Sequence, residues 1–200
     1  MSRQLTYEVV ADGGTDRVLV PILEWALLRH DPHVELLEPE FRKRKGSVQD
    51  FLSQHEATSM VLFVHRDAEG ETLDQRLREF DGVQRSDYVP VIPVRMSEAW
   101  ILFDAEAIAK AAGRPSATVV VPKVSDLESL IDPKAALEKL LFKAAGSPTG
   151  RKKKTFDRSL VSRRVNVASL IEDFAPLEAL EAFQRFQEAL GAAYPYGRSE

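Results

Sequence analysis

Apolar and polar positions run in two alternating periods over the first hundred residues. LTYEVVA (5–11) is rich in β-forming side chains and stops at Asp12-Gly13-Gly14, a turn signal. Val18, Leu19, Ile22, Leu23, Ala26 and Leu27 then mark one face of a helix. Thr15 is the expected cap of that helix, and Pro21 should distort its first turn. VELL (34–37) reads as a short strand, FRKRKG (41–46) as a basic connection, and Ser47 as the cap of a short helix carrying Val48, Phe51 and Leu52. MVLFVH (60–65) is continuously apolar, as expected of a strand buried on both faces of a parallel sheet. A polar helix is expected over 72–85. VPVIPV (89–94) is the next strand, and its two prolines predict an edge position or an early exit from the ladder. Ser97 then caps a helix whose Trp100 faces the core. Strands that alternate with helices in this way predict an α/β fold with a largely parallel, Rossmann-like sheet flanked by helices.

Beyond residue 113 the pattern changes. TVVVP (118–122) reads as a strand or an extended arm. Asp132-Pro133 is an N-cap and first-position pair that opens a helix to about 144. GSPTGRKKK (146–154) reads as a flexible basic loop, and two helices are expected over 158–172 and 176–190. Leu177, Leu180, Phe183, Phe186 and Leu190 form the stripe of the last one. The YPYGRSE tail is expected to be loose. This divides the chain into an α/β core, 1–113, and a mainly helical extension, 114–200, packed on it. No internal repeat is present.

Composition narrows the function classes. With 44% apolar and 29% charged residues the chain is neither disordered nor collagen-like. At 200 residues it can bury about 70% of its unfolded surface without staples. No apolar run approaches a membrane span, and the absence of cysteine excludes disulfides, thiol catalysis and Cys-based metal sites. The cytoplasm is the default expectation. The net charge of -4 hides an asymmetry: residues 1–104 hold 12 Lys/Arg against 19 Asp/Glu, and residues 105–200 hold 15 against 12. An acidic body with a basic strip is what a metal-dependent enzyme acting on a polyanion needs. A solvated charged surface gives the same numbers.

Position says more than count. Asp12 and Asp16 follow the first strand, Asp67 and Glu69 the strand at 60–65, and Glu98 the strand at 89–94, with Asp104 further on. If those strands are parallel, the acids share one carboxyl edge, where open α/β sheets bind ligands. Asp67 and Glu69 can face one hard cation, and Asp12 can reach it from the next strand. Mg²⁺ takes one or two carboxylates plus waters and substrate phosphates. For any one of these acids, helix capping or a dipole contact is the commoner role; three in register weaken that reading.

The order of these segments resembles Toprim-type domains. Asp12-Gly13-Gly14-Thr15-Asp16 is similar to their Glu-Gly-x-Thr-Glu turn, and Asp67-Ala68-Glu69 to their Asp-x-Asp motif. Arg95-Met96-Ser97-Glu98-Ala99-Trp100, with Asp104, resembles the Glu-Ala-Trp signature of an uncharacterised Toprim-like bacterial family. Asp132-Pro133-Lys134 and Phe183-Gln184-Arg185-Phe186 are similar to that family too, so the resemblance spans nearly the whole chain. Toprim domains occur in topoisomerases, primases and OLD-type nucleases, where Mg²⁺ on the acidic turns serves phosphodiester chemistry. The Toprim-like family is often encoded beside an ATPase, in gene pairs suspected of defence against phage. The resemblance implies Asp12, Asp67 and Glu69 as catalytic residues. It implies Asp12, Asp67, Glu69 and Glu98 as ligands of Mg²⁺ or Mn²⁺. Two departures stand out: aspartate replaces the first glutamate, and the second motif is Asp-x-Glu. Both keep charge and change reach, which catalysis tolerates less than metal binding does.

Several basic residues are candidates for phosphate or nucleic acid. Arg66 and Arg95 neighbour the acidic turns and can either grip a phosphate or pair with the acids. Lys134 follows the Asp-Pro cap. Arg151, Lys152, Lys153, Lys154, Arg158, Arg163 and Arg164 form the basic strip, suited to sequence-independent, salt-sensitive contacts. Arg42 to Lys45 form a second basic segment. His65 reads as the packed end of its strand or as a metal ligand. P-loop, dinucleotide, nucleophile-elbow and zinc-protease motifs are absent. The expected function is a metal-dependent phosphodiesterase, a nuclease of Toprim type, with nucleic acid and an ATPase as partners. The competing expectation is a degenerate Toprim-like subunit that binds an ATPase partner or nucleic acid without cleaving. An enzyme of small phosphorylated metabolites is a third. No membrane association is expected, and a homo-oligomer is compatible with all three.

Overall fold

The computed structural model describes residues 3–56 and 59–195. Four parallel strands form the central sheet: β2 (Tyr7–Ala11), β4 (Glu40–Lys43), β5 (Val61–His65) and β6 (Tyr88–Val91), in the order β4-β2-β5-β6. Two shorter strands, β1 (Arg3–Leu5) and β3 (Val34–Leu36), pair in parallel just upstream of β2 and β4. The fold is α/β, with helices on both faces and a helical C-terminal part.

The sheet is central because its strands are apolar on both sides. All five residues of β5 are buried, and so are all five of β2. One face carries Val9, Phe63, Val89 and Val91 into the larger core. Helix α1 (Val20–His30) and helix α7 (Glu181–Ala193) cover that face. Phe183 stands edge-on to Trp100 at 5.2 Å, and Phe186 meets Phe63 at 6.2 Å. The opposite face carries Val10, Leu62 and Val64 into a smaller core under α2 (Val48–Gln54) and α3 (Leu73–Leu77). One continuous apolar cluster therefore draws on residues from both halves of the chain.

The remaining helices are α4 (Ala105–Ala111), α5 (Pro133–Ala144) and α6 (Gly150–Leu170). Ser47 caps α2 by accepting from the Asp50 amide at 3.0 Å, and Asp132 caps α5 through the Ala135 amide at 2.8 Å. Strand β6 contains Pro90, ends at Val91 and lies at the sheet edge, where a strand proline is tolerated.

Several local expectations are corrected. Residues 41–43 of the basic connection belong to strand β4, because their backbone pairs with β2. Its Arg42 is neutralised by Glu8, 3.1 Å away. Thr15 does not cap; the Asp16 carboxylate accepts from the Gly13 amide at 2.9 Å and opens a 3-10 turn before α1. The helix expected over 72–85 is only α3 plus a 3-10 turn. Of the two readings of 118–122, the strand is not formed. Residues 150–154 of the expected basic loop open α6, whose Lys and Arg are good helix formers. At the tail, Tyr194 is buried against His30 and Asp31; residues 196–200 lie outside the described residues. Among the described residues no helix is long and apolar enough to cross a membrane.

Candidate functional site

The strand order puts a switch point between β2 and β5. The chain leaves β2 toward β4 on one side, and leaves β5 toward β6 on the other. Side chains just past the carboxyl ends of these strands flank the crevice in which such sheets bind ligands. Asp12 and Asp16 follow β2, Asp67 follows β5, and Glu98 follows β6.

At the centre lies His65, 1% exposed. Its Nε2 is 3.0 Å from Asp67 Oδ1, and its Nδ1 is 3.5 Å from Asp16 Oδ2. The second distance is too long for a strong hydrogen bond, so that contact is an ion pair. Ser97 donates from Oγ to Asp67 Oδ1 at 3.1 Å and lies 3.1 Å from His65 Nε2. Burial works to lower the pKa of His65, but the two carboxylates outweigh it and raise the value to about 9. The imidazole is therefore a cation at neutral pH. Asp16 moves the other way: burial favours its neutral form, yet His65 and the Gly13 amide hold its pKa below the usual aspartate value.

Ser97, His65 and Asp16 stand in the order of a nucleophile, a base and an orienting acid. The cluster does not work that way. An imidazolium has no lone pair to take the serine proton, Ser97 is 2% exposed, and its hydroxyl donates to Asp67. His65 instead holds two carboxylates together that would otherwise repel each other.

Asp12 is held by two arginines. Arg44, just past β4, pairs with Oδ1, and Arg66 reaches Oδ2 at 2.8 Å. Arg66 also donates from Nε to Glu79 at 2.8 Å, and Arg76 joins Glu79 at 2.6 Å. Glu69 ends this chain, 3.5 Å from Arg76, with its side chain 70% exposed. Glu69 and Arg95 both adopt left-handed backbone, with φ of 54° and 70°. They lock onto each other: the Glu69 amide donates to the Arg95 carbonyl, and Arg95 Nη1 donates to the Glu69 carbonyl, both at 2.9 Å. Non-glycine residues held this way cost about 1–3 kcal/mol each and tend to mark functional sites.

Glu98 lies in a 3-10 turn, Ser97–Ile101, and is 7% exposed. Burial raises its carboxyl pKa, and the nearby Asp67 adds to the rise; its own amide, Arg164 and Lys134 oppose it. Arg164 donates from Nη1 to Glu98 Oε1 at 2.8 Å.

Asp12, Asp67 and Glu98 thus share the carboxyl edge, while Glu69 leans outward to Arg76. Among the described residues no three His, Asp or Glu side chains converge closely enough to hold a metal ion as they stand. The donors fit a hard cation in kind, since all are carboxylates. Their oxygens are turned toward arginine and histidine partners.

The basic candidates divide too. Arg66 and Arg95 are committed to carboxylate and carbonyl oxygens at the edge. Lys134 is exposed in the first turn of α5 and close enough to act on Glu98. Arg151, Lys152, Lys153, Lys154 and Arg158 are exposed on α6, with Lys153 paired to Asp157 at 2.7 Å. Arg163 is half-buried, bonded to Ser159 and to the Ala111 carbonyl. Arg164 is 3% exposed, so it is a buried ion-pair partner and not part of the strip's surface.

Sequence reasoning placed Arg44 in the second basic segment but missed its pairing with Asp12, Ser97 as a site residue, and the Arg164–Glu98 pair. For the His65 bridge a signal existed: a histidine closing an apolar strand two residues before an aspartate. Comparison of the chain with family models, with curated proteins and with solved structures finds no match.

Proposed function

We propose that this chain is a cytoplasmic, Toprim-like, divalent-metal-dependent phosphodiesterase that acts on nucleic acid. The observation that carries the reading is the gathering of Asp12, Asp16, Asp67 and Glu98 at the switch point of a parallel sheet. So many carboxylates at one edge need cationic compensation. Here His65, Arg44, Arg66 and Arg164 supply it. The resemblance of the acidic turns to Toprim motifs points the same way, and it brings an ATPase into view as partner.

Asp12, Asp67 and Glu98 are the residues that would hold Mg²⁺ or Mn²⁺. Such an ion polarises phosphate oxygens and lowers the pKa of bound water toward neutrality. Ser97 and His65 fix the Asp67 carboxylate from one side. Arg66, once Asp12 turns from it, would keep Glu79 on Nε and offer Nη1 to a phosphate oxygen. Lys134 faces the same edge without an ion-pair partner among the described residues. The exposed basic half of α6 offers further backbone contacts.

One observation favours a second reading, a non-cleaving subunit that binds an ATPase partner or nucleic acid. Asp12 is doubly paired, and Glu69 faces Arg76 instead of Asp67. A cleavage assay separates the two. Purified chain is incubated with labelled single- and double-stranded DNA and RNA, with Mg²⁺, Mn²⁺ or EDTA. The phosphodiesterase reading expects metal-dependent cleavage, abolished by Asp67→Ala. Metal binding without cleavage of any substrate supports the second reading.

A further inference from the structure

We propose that the groove between strand β4 and helix α2 takes one nucleotide of a single-stranded nucleic acid, its base stacked on Phe51 and its flanking phosphates held by Lys43 and Lys45. The inference rests on the nucleic-acid part of the reading above and needs no metal ion.

The groove has a volume of about 310 Å³. Arg42, Lys43 and Lys45 line it from β4 and its exit, and Phe51, Gln54 and His55 line it from α2 and its cap. Small-ligand pockets run from about 300 to 1,000 Å³, so this one suits a single nucleotide unit. Lys43 and Lys45 are exposed, and among the described residues neither has an ion-pair partner. Asp50 also lines the groove and already accepts the Ser47 hydroxyl at 2.6 Å. Phe51 is half-buried and stacks on the His55 ring, 4.8 Å between centroids and 22° from parallel. That stack fixes the phenyl plane, so a base that enters the groove meets a ring already oriented.

A buried acid supports the lining. Glu8 on β2 is 0% exposed. Such a carboxylate is costly unless it is paired, and Glu8 is paired with two residues of the groove. His55 Nε2 lies 3.0 Å from it and Arg42 Nε 3.1 Å. One acid thus holds both the ring that backs Phe51 and the guanidinium beside it. Lysines on an edge strand also discourage pairing with another sheet. That explains Lys43 and Lys45, but not a cavity with an aromatic wall. The strip on α6 is the contrast: its one aromatic side chain, Phe156, is 5% exposed, so the strip offers charge without a stacking face. Lys43 and Lys45 flank Arg44, which holds Asp12, so the groove adjoins the carboxyl edge of the sheet. Stacking on Phe51 needs an unpaired base, which selects a single strand over a duplex.

The test is binding of a fluorescein-labelled oligothymidylate, and of a labelled DNA duplex, to the full chain in EDTA, read by anisotropy. Phe51→Leu should weaken single-strand binding by about 5-fold or more and leave duplex binding unchanged. Phe51→Tyr keeps the stacking face and should bind as wild type does. Lys45→Gln should lower the slope of the single strand's salt dependence by about 0.7. Lys45 is exposed, so this variant answers even where Phe51→Leu disturbs the fold. Unchanged single-strand affinity in a folded Phe51→Leu, an unchanged slope in Lys45→Gln, or equal losses for strand and duplex overturns the proposal. Thymidine monophosphate that binds as tightly as the strand overturns it too and leaves a mononucleotide site. If the wild type binds neither strand nor duplex, the nucleic-acid reading itself falls. Binding that depends on Lys152 and Lys154 alone keeps that reading and sinks only the groove.

Discussion

The two charged regions of this molecule are built on opposite plans. At the carboxyl edge of the sheet every acid faces a base: Asp12 has Arg44 and Arg66, Asp16 and Asp67 share His65, and Glu98 has Arg164. These groups are largely buried and come from distant parts of the chain. The first half of α6 carries comparable charge, but its Arg151, Lys152, Lys154 and Arg158 are exposed without ion-pair partners among the described residues. Charge density alone does not separate the two. Commitment does: the edge is a cross-linked network that holds a geometry, and the helix is a solvated surface free to meet a polyanion.

The largest expected effect comes from cutting the network where it meets the helix. Arg164→Met leaves a buried carboxylate unpaired and should destabilise the fold by about 3–5 kcal/mol. Lys152→Met, further along the helix toward its exposed end, should stay within about 0.5 kcal/mol. Urea unfolding measures both, and equal destabilisation would erase the contrast.

The next effect is on pH. His65 has a folded pKa raised to about 9 against 6.5 in the open chain. A raised pKa means the folded state binds the proton more tightly. Its stabilisation is therefore complete below pH 6.5 and is lost as pH rises through about 9, by roughly 3 kcal/mol in all. Asp16, held below its usual value, works in the opposite sense: its contribution is present above the open-chain pKa and fades as pH falls through the folded one. Urea midpoints measured in EDTA between about pH 6 and 9.5 should fall in wild type and stay flatter in His65→Gln.

A smaller effect belongs to the helix. Lys152→Gln with Lys154→Gln should leave stability unchanged and flatten the salt dependence of binding to duplex DNA. The slope should fall by about 0.9 for each phosphate these lysines neutralise. An unchanged slope would make the strip a bystander. The smallest effect is at Glu69. Glycine relieves its left-handed backbone, so Glu69→Gly should cost little and can gain up to about 1 kcal/mol. If Mn²⁺ binding also survives, the outward tilt of Glu69 toward Arg76 is its resting role.

Much of this was legible in the sequence, for local reasons. The apolar run MVLFVH suggested a strand buried on both faces, which Val61–His65 forms, the prolines of VPVIPV forecast an edge, and Ser47 and Asp132-Pro133 opened their helices as caps do. Strand β4 was not legible, because FRKRK has no alternation; a distant ladder with β2 and a buried Glu8 make it a strand. The start of α6 was hidden by the Gly, Ser and Pro before it. The shared edge of the acids followed from strand order alone. Their orientation did not, since it depends on Arg44 just past the neighbouring strand β4 and on Arg164 from helix α6, far later in the chain.

Calorimetric titration of Mn²⁺ into wild type and Asp67→Asn tests the acidic edge most directly. Asparagine keeps the shape and an oxygen to accept from Ser97, while it removes the charge and turns one carboxylate oxygen into an amide NH₂. Saturable binding in the wild type, abolished in Asp67→Asn, is the predicted result. No binding at millimolar metal, or equal binding by both chains, would contradict it and leave these carboxylates as partners of His65 and the arginines alone.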